Sequence, residues 1–279
     1  MPQKLIGYQK EDNFLHHLTG ASKLIFFILV SVACMTTYDT RLIIFIGCLS
    51  LTLFASARVP WKSVSFVIKF VTFFAILNVL MVYLFAPAYG EQIYHSKTVI
   101  ANVWGPFYLT KEELFYLFNL SLKYFSTVPL ALLFLLTTNP SQFASSLNQI
   151  GLPYEVAYAV SLTLRYIPDV QEEFYMIKTS QEARGLELSK KAKLFDRIKG
   201  NLQIIIPLIF SSLDRIDLVA TAMELRRFGK NKRRTWYTSK QLDKNDIMTI
   251  FLAIAILLTS FILFVINKGR FYNPFTQKG

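Results

Sequence analysis

Two arginines carry the most pointed chemistry in this chain: Arg184, in the run Gln181-Glu182-Ala183-Arg184-Gly185, and Arg226, in Ala222-Met223-Glu224-Leu225-Arg226-Arg227. They stand 42 positions apart, and each ends an amphipathic helical pattern within a largely apolar chain. A guanidinium keeps its charge at any biological pH, presents a planar fork of donors, and is favoured at a helix C-terminus. A tip of this kind suits docking on an acidic protein surface, a mechanical role more than a catalytic one. Gly185 supplies a left-handed stop after Arg184. Arg226 is followed by Arg227 and Phe228, with Gly229 the nearest substitute stop, so the two tips differ chemically.

Other chemistries find little to work with. No Gly-x4-Gly-Lys-Ser/Thr phosphate loop occurs, so any ATP hydrolysis belongs to a partner. The histidines are His16, His17 and His95, and no His-Glu-x-x-His pair exists for a metalloprotease. Cys34 and Cys48 sit inside apolar runs, where a thiol packs as a small hydrophobe. The expectation is therefore a chain with no catalytic residues, no metal site and no cofactor. A stand-alone channel or secondary transporter is the rival function, and inverted repeats would support it; no convincing internal repeat is visible.

The elements that position the two tips are set by lipid. With 53% hydrophobic residues, 15% aromatics and a mean hydropathy of +0.38 over 279 residues, the chain is too apolar for an ordinary soluble domain. Apolar runs cover Leu24 to Tyr38, Leu42 to Ala57, Val64 to Ala88, Leu114 to Thr138 and Ile247 to Ile266. The first two are short for a perpendicular span and are expected to extend into their flanks. Lys123 and Pro129 interrupt the fourth; an intramembrane lysine is expensive, and Lys123 reads as snorkelling or pairing within the bundle. Between the third and fourth runs, residues 89 to 113 carry Tyr89, Tyr94, Trp104 and Tyr108, which fits an interfacial or re-entrant segment.

Charge follows the same division. The net charge is +12, and 17 of the 30 Lys and Arg residues lie between positions 139 and 246. A basic cytoplasmic segment of a membrane protein accounts for them without nucleic acid. Placing residues 1 to 23, 58 to 63 and 139 to 246 on one side collects 22 basic residues there and leaves 6 opposite. The N-terminus and residues 139–246 are expected in the cytoplasm, and no removable signal peptide is read at the start. Within 139–246, Pro153 marks a helix start and Pro168 can break or kink the helix that leads to Arg184. A charged connector, Leu188 to Lys199, then precedes a second helix on which Ile209, Leu213, Ile216, Ala220 and Met223 form a coiled-coil-like stripe. The expected organisation is a four-span bundle (1–138), a coupling-helix unit (139–246), and a last span with a short tail (247–279).

The ordered set Asn139-Pro140-Ser141, Ile150-Gly151-Leu152-Pro153, Leu164-Arg165-Tyr166-Ile167-Pro168, Glu173 and Gln181-Glu182-Ala183-Arg184-Gly185 resembles the transmembrane T component of energy-coupling factor (ECF) vitamin and metal importers. Pro207-Leu208, Arg215 and Ala222 to Arg226 continue the resemblance, and Leu15-His16-His17-Leu18 with Lys23-Leu24 extends it weakly to the N-terminus. It implies an all-α membrane protein of about five transmembrane helices, with amphipathic coupling helices between the fourth and fifth. It also implies a multi-pass scaffold in the cell membrane that joins two ATP-binding subunits or domains to a separate substrate-binding membrane subunit. The implied ATPase-coupling residues are Ala183, Arg184, Gly185, Glu224, Arg226 and Arg227. Two departures stand out: Leu225 and Arg227 replace the usual Ala and Gly around Arg226, and Thr19-Gly20-Ala21 stands where the family usually has Asp-Pro-Arg.

Overall fold

The computed structural model describes residues 14–57, 59–104, 107–185, 194–230, 235–237 and 240–275. The chain packs as two units, one formed by residues up to Asn139 together with Lys240 onward, the other by Pro140–Ser239.

In the first unit, a single turn α1 (Phe14–His17) leads to α2 (Gly20–Thr36), α3 (Thr40–Ser56) and α4 (Trp61–Phe85). After the short α5 (Tyr89–Tyr94), strands β1 (Val99–Trp104) and β2 (Phe107–Thr110) pair antiparallel. Then come α6 (Lys111–Thr137) and, after the second unit, α10 (Lys244–Ile266). Among the described residues, three helical stretches, Val64–Phe85, Lys111–Thr137 and Lys244–Ile266, are long and apolar enough to cross a membrane; α2 and α3 are apolar but have 17 residues each. The chain is an all-α membrane protein apart from the hairpin. That hairpin lies in the segment expected to be interfacial or re-entrant. Its β-branched and aromatic residues on either side of Gly105-Pro106 were its signal.

The centre of the bundle is built from Val30, Ala33, Cys34, Ile43, Ile46, Leu130, Ala253 and Ile256. Small residues let the helices approach closely, because helices in lipid associate through packing and hydrogen bonds and not through a hydrophobic drive. At Gly47 an added Cβ would stand 2.8 Å from the Ser126 hydroxyl oxygen, and Ser126 Oγ donates across to the Ile43 carbonyl at 3.1 Å. α4 turns Val64, Ile68 and Ala75 inward, while Phe66, Phe70, Phe73 and Phe85 are exposed for lipid.

Lys123 pairs within the bundle. Its Nζ donates to the Met35 carbonyl at 2.8 Å, in the last turn of α2, and lies 3.2 Å from the centre of the Tyr38 ring. The cation thus caps the C-terminal end of α2, whose negative dipole end favours it. Pro129 is expected to interrupt its helix, and α6 runs through it. Replacing Lys123 with Met is expected to destabilise the detergent-purified chain by about 1.5–3 kcal/mol, the range for a hydrogen bond to a charged group. Thermal melting reads this out, and an unchanged midpoint refutes the capping role.

Candidate functional site

The second unit is a helix assembly that displays the two arginine tips. It begins with α7 (Pro140–Gln149), continues with α8 (Tyr154–Ala183) and ends with α9 (Leu194–Leu225). Pro153 stands at the N-cap of α8. α8 continues through Pro168, so the missing donor at that residue does not break it. Helix α9 includes residues 194–199, the second half of the expected connector; its first half, 188–193, lies outside the described residues.

The two long helices are antiparallel. Glu173 accepts from Ser211 Oγ and pairs with Arg215 Nη2 at 2.6 Å. The Arg215 guanidinium lies 6.0 Å from the centre of the Tyr166 ring. Further along, Phe228 packs against Tyr158 and Tyr154 with centroids 4.7 and 5.8 Å apart. Trp236 joins this cluster at 5.3 Å from Tyr154 and donates Nε1–H to Asn148 Oδ1 at 3.1 Å. Positions that fall along α8 therefore meet positions that rise along α9. Between the ion pair and the aromatic cluster an apolar cleft of about 600 Å³ opens, with Leu162, Ile167, Val170, Val219 and Met223 among its walls.

Of the expected stripe only Met223 lies in the packed row. Ile209, Leu213 and Ile216 each keep half or more of their surface exposed. The half-buried row runs through Leu208, Ser211, Ser212, Arg215, Val219 and Met223. Polar pairing of Glu173 with Ser211 and Arg215 selects this row, and a count of apolar periodicity ranks it lower because two serines and an arginine interrupt it.

The tips themselves are equivalent in backbone role. Arg184 is the C-cap of α8, and the next residue, Gly185, has φ +90° and donates its N–H to the Glu182 carbonyl at 3.0 Å. On α9, Arg226 N–H bonds Ala222 O at 3.2 Å, Arg227 N–H bonds Glu224 O at 2.8 Å, and Phe228 N–H bonds Met223 O at 2.9 Å. That pair of crossing bonds is a Schellman stop with Arg227 in the left-handed position, φ +52°. The stop expected at Gly229 therefore falls two residues earlier, on Arg227 itself. Phe228 takes the next position and folds back into the aromatic cluster, which fixes where the helix must end. Ala183, Arg184, Gly185, Glu224, Arg226 and Arg227 are all exposed. The structure does not bring the two arginines together. Arg226 is level with the start of α8 near Tyr158, and from there to Arg184 is about 40 Å at a helical rise of about 1.5 Å per residue.

Comparison with known proteins matches residues 11–237 to the cobalt transport protein family, CbiQ. The chain belongs to this family. Among its relatives, an energy-coupling factor transporter transmembrane protein, EcfT, of Staphylococcus aureus is 26% identical over 94% of this chain and 98% of its own length. EcfT of Bacillus selenitireducens is 29% identical over 90% and 94%, and EcfT of Lactococcus lactis is 26% identical over 96% and 99%. The family match takes in both arginine tips, the Glu173–Arg215 pair and the Phe228 and Trp236 cluster; α10 lies beyond it. Sequence reading singled out Glu173 and Arg215 separately as matching residues but not as partners, since no periodicity links residues on two helices.

Proposed function

We propose that this chain is the transmembrane scaffold subunit of an ATP-driven ECF-type importer for a micronutrient, a vitamin or a metal ion. It couples two ATP-binding subunits or domains to a separate substrate-binding membrane subunit. The observation that carries the reading is the pair of exposed, arginine-capped helix ends at opposite ends of one antiparallel helix pair. A separation of about 40 Å exceeds the roughly 30 Å diameter of a small domain, so the tips reach two docking sites and not one. The EcfT names of the full-length relatives support the same assignment. In this reading residues 139–246 form the cytoplasmic coupling unit, Ala183, Arg184, Gly185, Glu224, Arg226 and Arg227 make the ATPase contacts, and catalysis resides in the partners. The distribution of basic residues, 22 against 6, supports a cytoplasmic N-terminus and coupling unit.

Affinity purification of the tagged chain from native membranes tests this. Two ATP-binding domains and a small membrane subunit are expected to co-purify, and the chain alone in vesicles should neither hydrolyse ATP nor move a solute. Transport by the isolated chain overturns the reading. Orientation is checked separately with single cysteines at the exposed positions Glu182 and Val99. In intact cells a membrane-impermeant reagent is expected to label position 99 and spare position 182; the opposite pattern reverses the topology.

A further inference from the structure

Within the first unit, the N-terminal end of α2 gathers the end of α6 and the start of α10. Thr19 caps α2, its Oγ1 accepting from the Ser22 N–H at 3.3 Å. Asp246, in the first turn of α10, sits over the same helix end. Its Oδ1 accepts from Thr19 N–H at 2.8 Å, Thr19 Oγ1 at 3.0 Å and Ser22 Oγ at 2.6 Å. Its Oδ2 accepts from Asp243 N–H at 2.9 Å and closes the capping box of α10. One carboxylate therefore serves two helix N-termini, where anions are favoured. One residue further on, Lys23 Nζ donates to the carbonyl of Thr137, the last residue of α6, at 2.9 Å. Thr19, Ser22, Lys23, Thr137 and Asp246 are each 5% exposed or less.

The chain leaves for the second unit at Pro140, just after Thr137, and returns at Lys240, just before Asp243. The last residue of α6, before the departure, and the first turn of α10, after the return, are thus hydrogen-bonded to the same end of α2. We propose that this helix end is the mechanical anchor of the coupling unit, with Asp246 and Lys23 as positioning residues for energy coupling. The inference rests on the function proposed above. Motion passes between distant sites through packed elements and hydrogen-bond networks, and a slack joint at either connection dissipates it. A buried carboxylate with four donors and a buried ammonium on a helix end hold the end of α6 and the start of α10 to the start of α2. The same node gives a role to the Thr19-Gly20-Ala21 departure: the carboxylate over the start of α2 is delivered from α10.

The test uses the full complex reconstituted in vesicles and reads solute imported per ATP hydrolysed. Asp246→Asn and, independently, Lys23→Met are expected to lower that ratio roughly tenfold, the scale of one lost charge-assisted hydrogen bond, while ATPase and membrane-subunit capture stay at wild-type level. Adding Thr19→Asp to Asp246→Asn returns a carboxylate to the node, which the new amide at 246 can meet as donor; the ratio should recover to within about twofold. An assembled Asp246→Asn complex with the wild-type ratio overturns the anchor. Loss of assembly in both the single and the double variant also overturns it, by assigning the node to folding alone. The wild-type complex is the control for the function itself: if it captures no ATPase, that reading fails before any variant is made.

Discussion

Reversing either tip arginine, Arg184→Glu or Arg226→Glu, is expected to weaken capture of the ATPase partners by about a hundredfold, and reversing both to abolish it. Each guanidinium sits at an exposed helix end, where a planar charged fork can meet a partner's carboxylates. Truncating one member of a docked, hydrogen-bonded charge pair costs about 2–5 kcal/mol, and reversal adds repulsion. At about 1.4 kcal/mol per factor of ten, a hundredfold lies within that range. The fold should hardly notice. Substitutions at exposed positions usually change stability by within about 0.5 kcal/mol, and a carboxylate at a helix C-terminus adds about 0.3–1 kcal/mol. Membrane insertion and melting are therefore expected near wild type while pull-down of the ATPase collapses. Normal capture and normal uptake in both variants refute the coupling role.

Residue type and local pattern made part of this arrangement legible. Five apolar runs, the helix start at Pro153 and the arginine-tipped ends are all local features, and local physics decides them: hydrophobic length for a span, a fixed φ for proline, a left-handed stop for Gly185. What stayed hidden depends on residues far apart in the chain. Lys123 finds Met35 and Tyr38, Asp246 finds Thr19 and Ser22, and Glu173 finds Arg215; each pair joins segments far apart in the chain, and periodicity is silent about which elements meet. Pro168 does not break its helix. A proline inside a helical pattern usually ends or kinks it; α8 continues on both sides of this one, where Tyr166, Tyr158 and Glu173 contact Arg215 and Phe228. At Arg227 the local rule again lost to tertiary packing. Gly229, two residues on, is left-handed as well, φ +87°, but Phe228 is held by Tyr154 and Tyr158, so the helix ends before it.

Arg227 is the place where the two tips cease to be alike, and it yields the second large effect. Gly185 and Arg227 occupy the same left-handed position after their helices, with φ +90° and +52°. For glycine this conformation costs nothing, whereas a residue with a Cβ gives up about 1–2 kcal/mol. Strain retained at an exposed tip points to use of the side chain there. With the tips about 40 Å apart and carrying one arginine on the first and two on the second, the two partner domains meet different surfaces. They are expected to be non-identical, either two subunits or two halves of one protein. Arg227→Gly should then do two things at once: raise the melting temperature by relieving about 1 kcal/mol of strain, and erode by about tenfold or more the preference of each tip for its own partner, while total capture changes little. Photocrosslinkers placed at 184 and 226 read the pairing directly. In the wild-type complex each should label a different ATPase domain, and in Arg227→Gly the labels should mix. Attachment of both tips to identical copies of one single-domain ATPase sinks the idea.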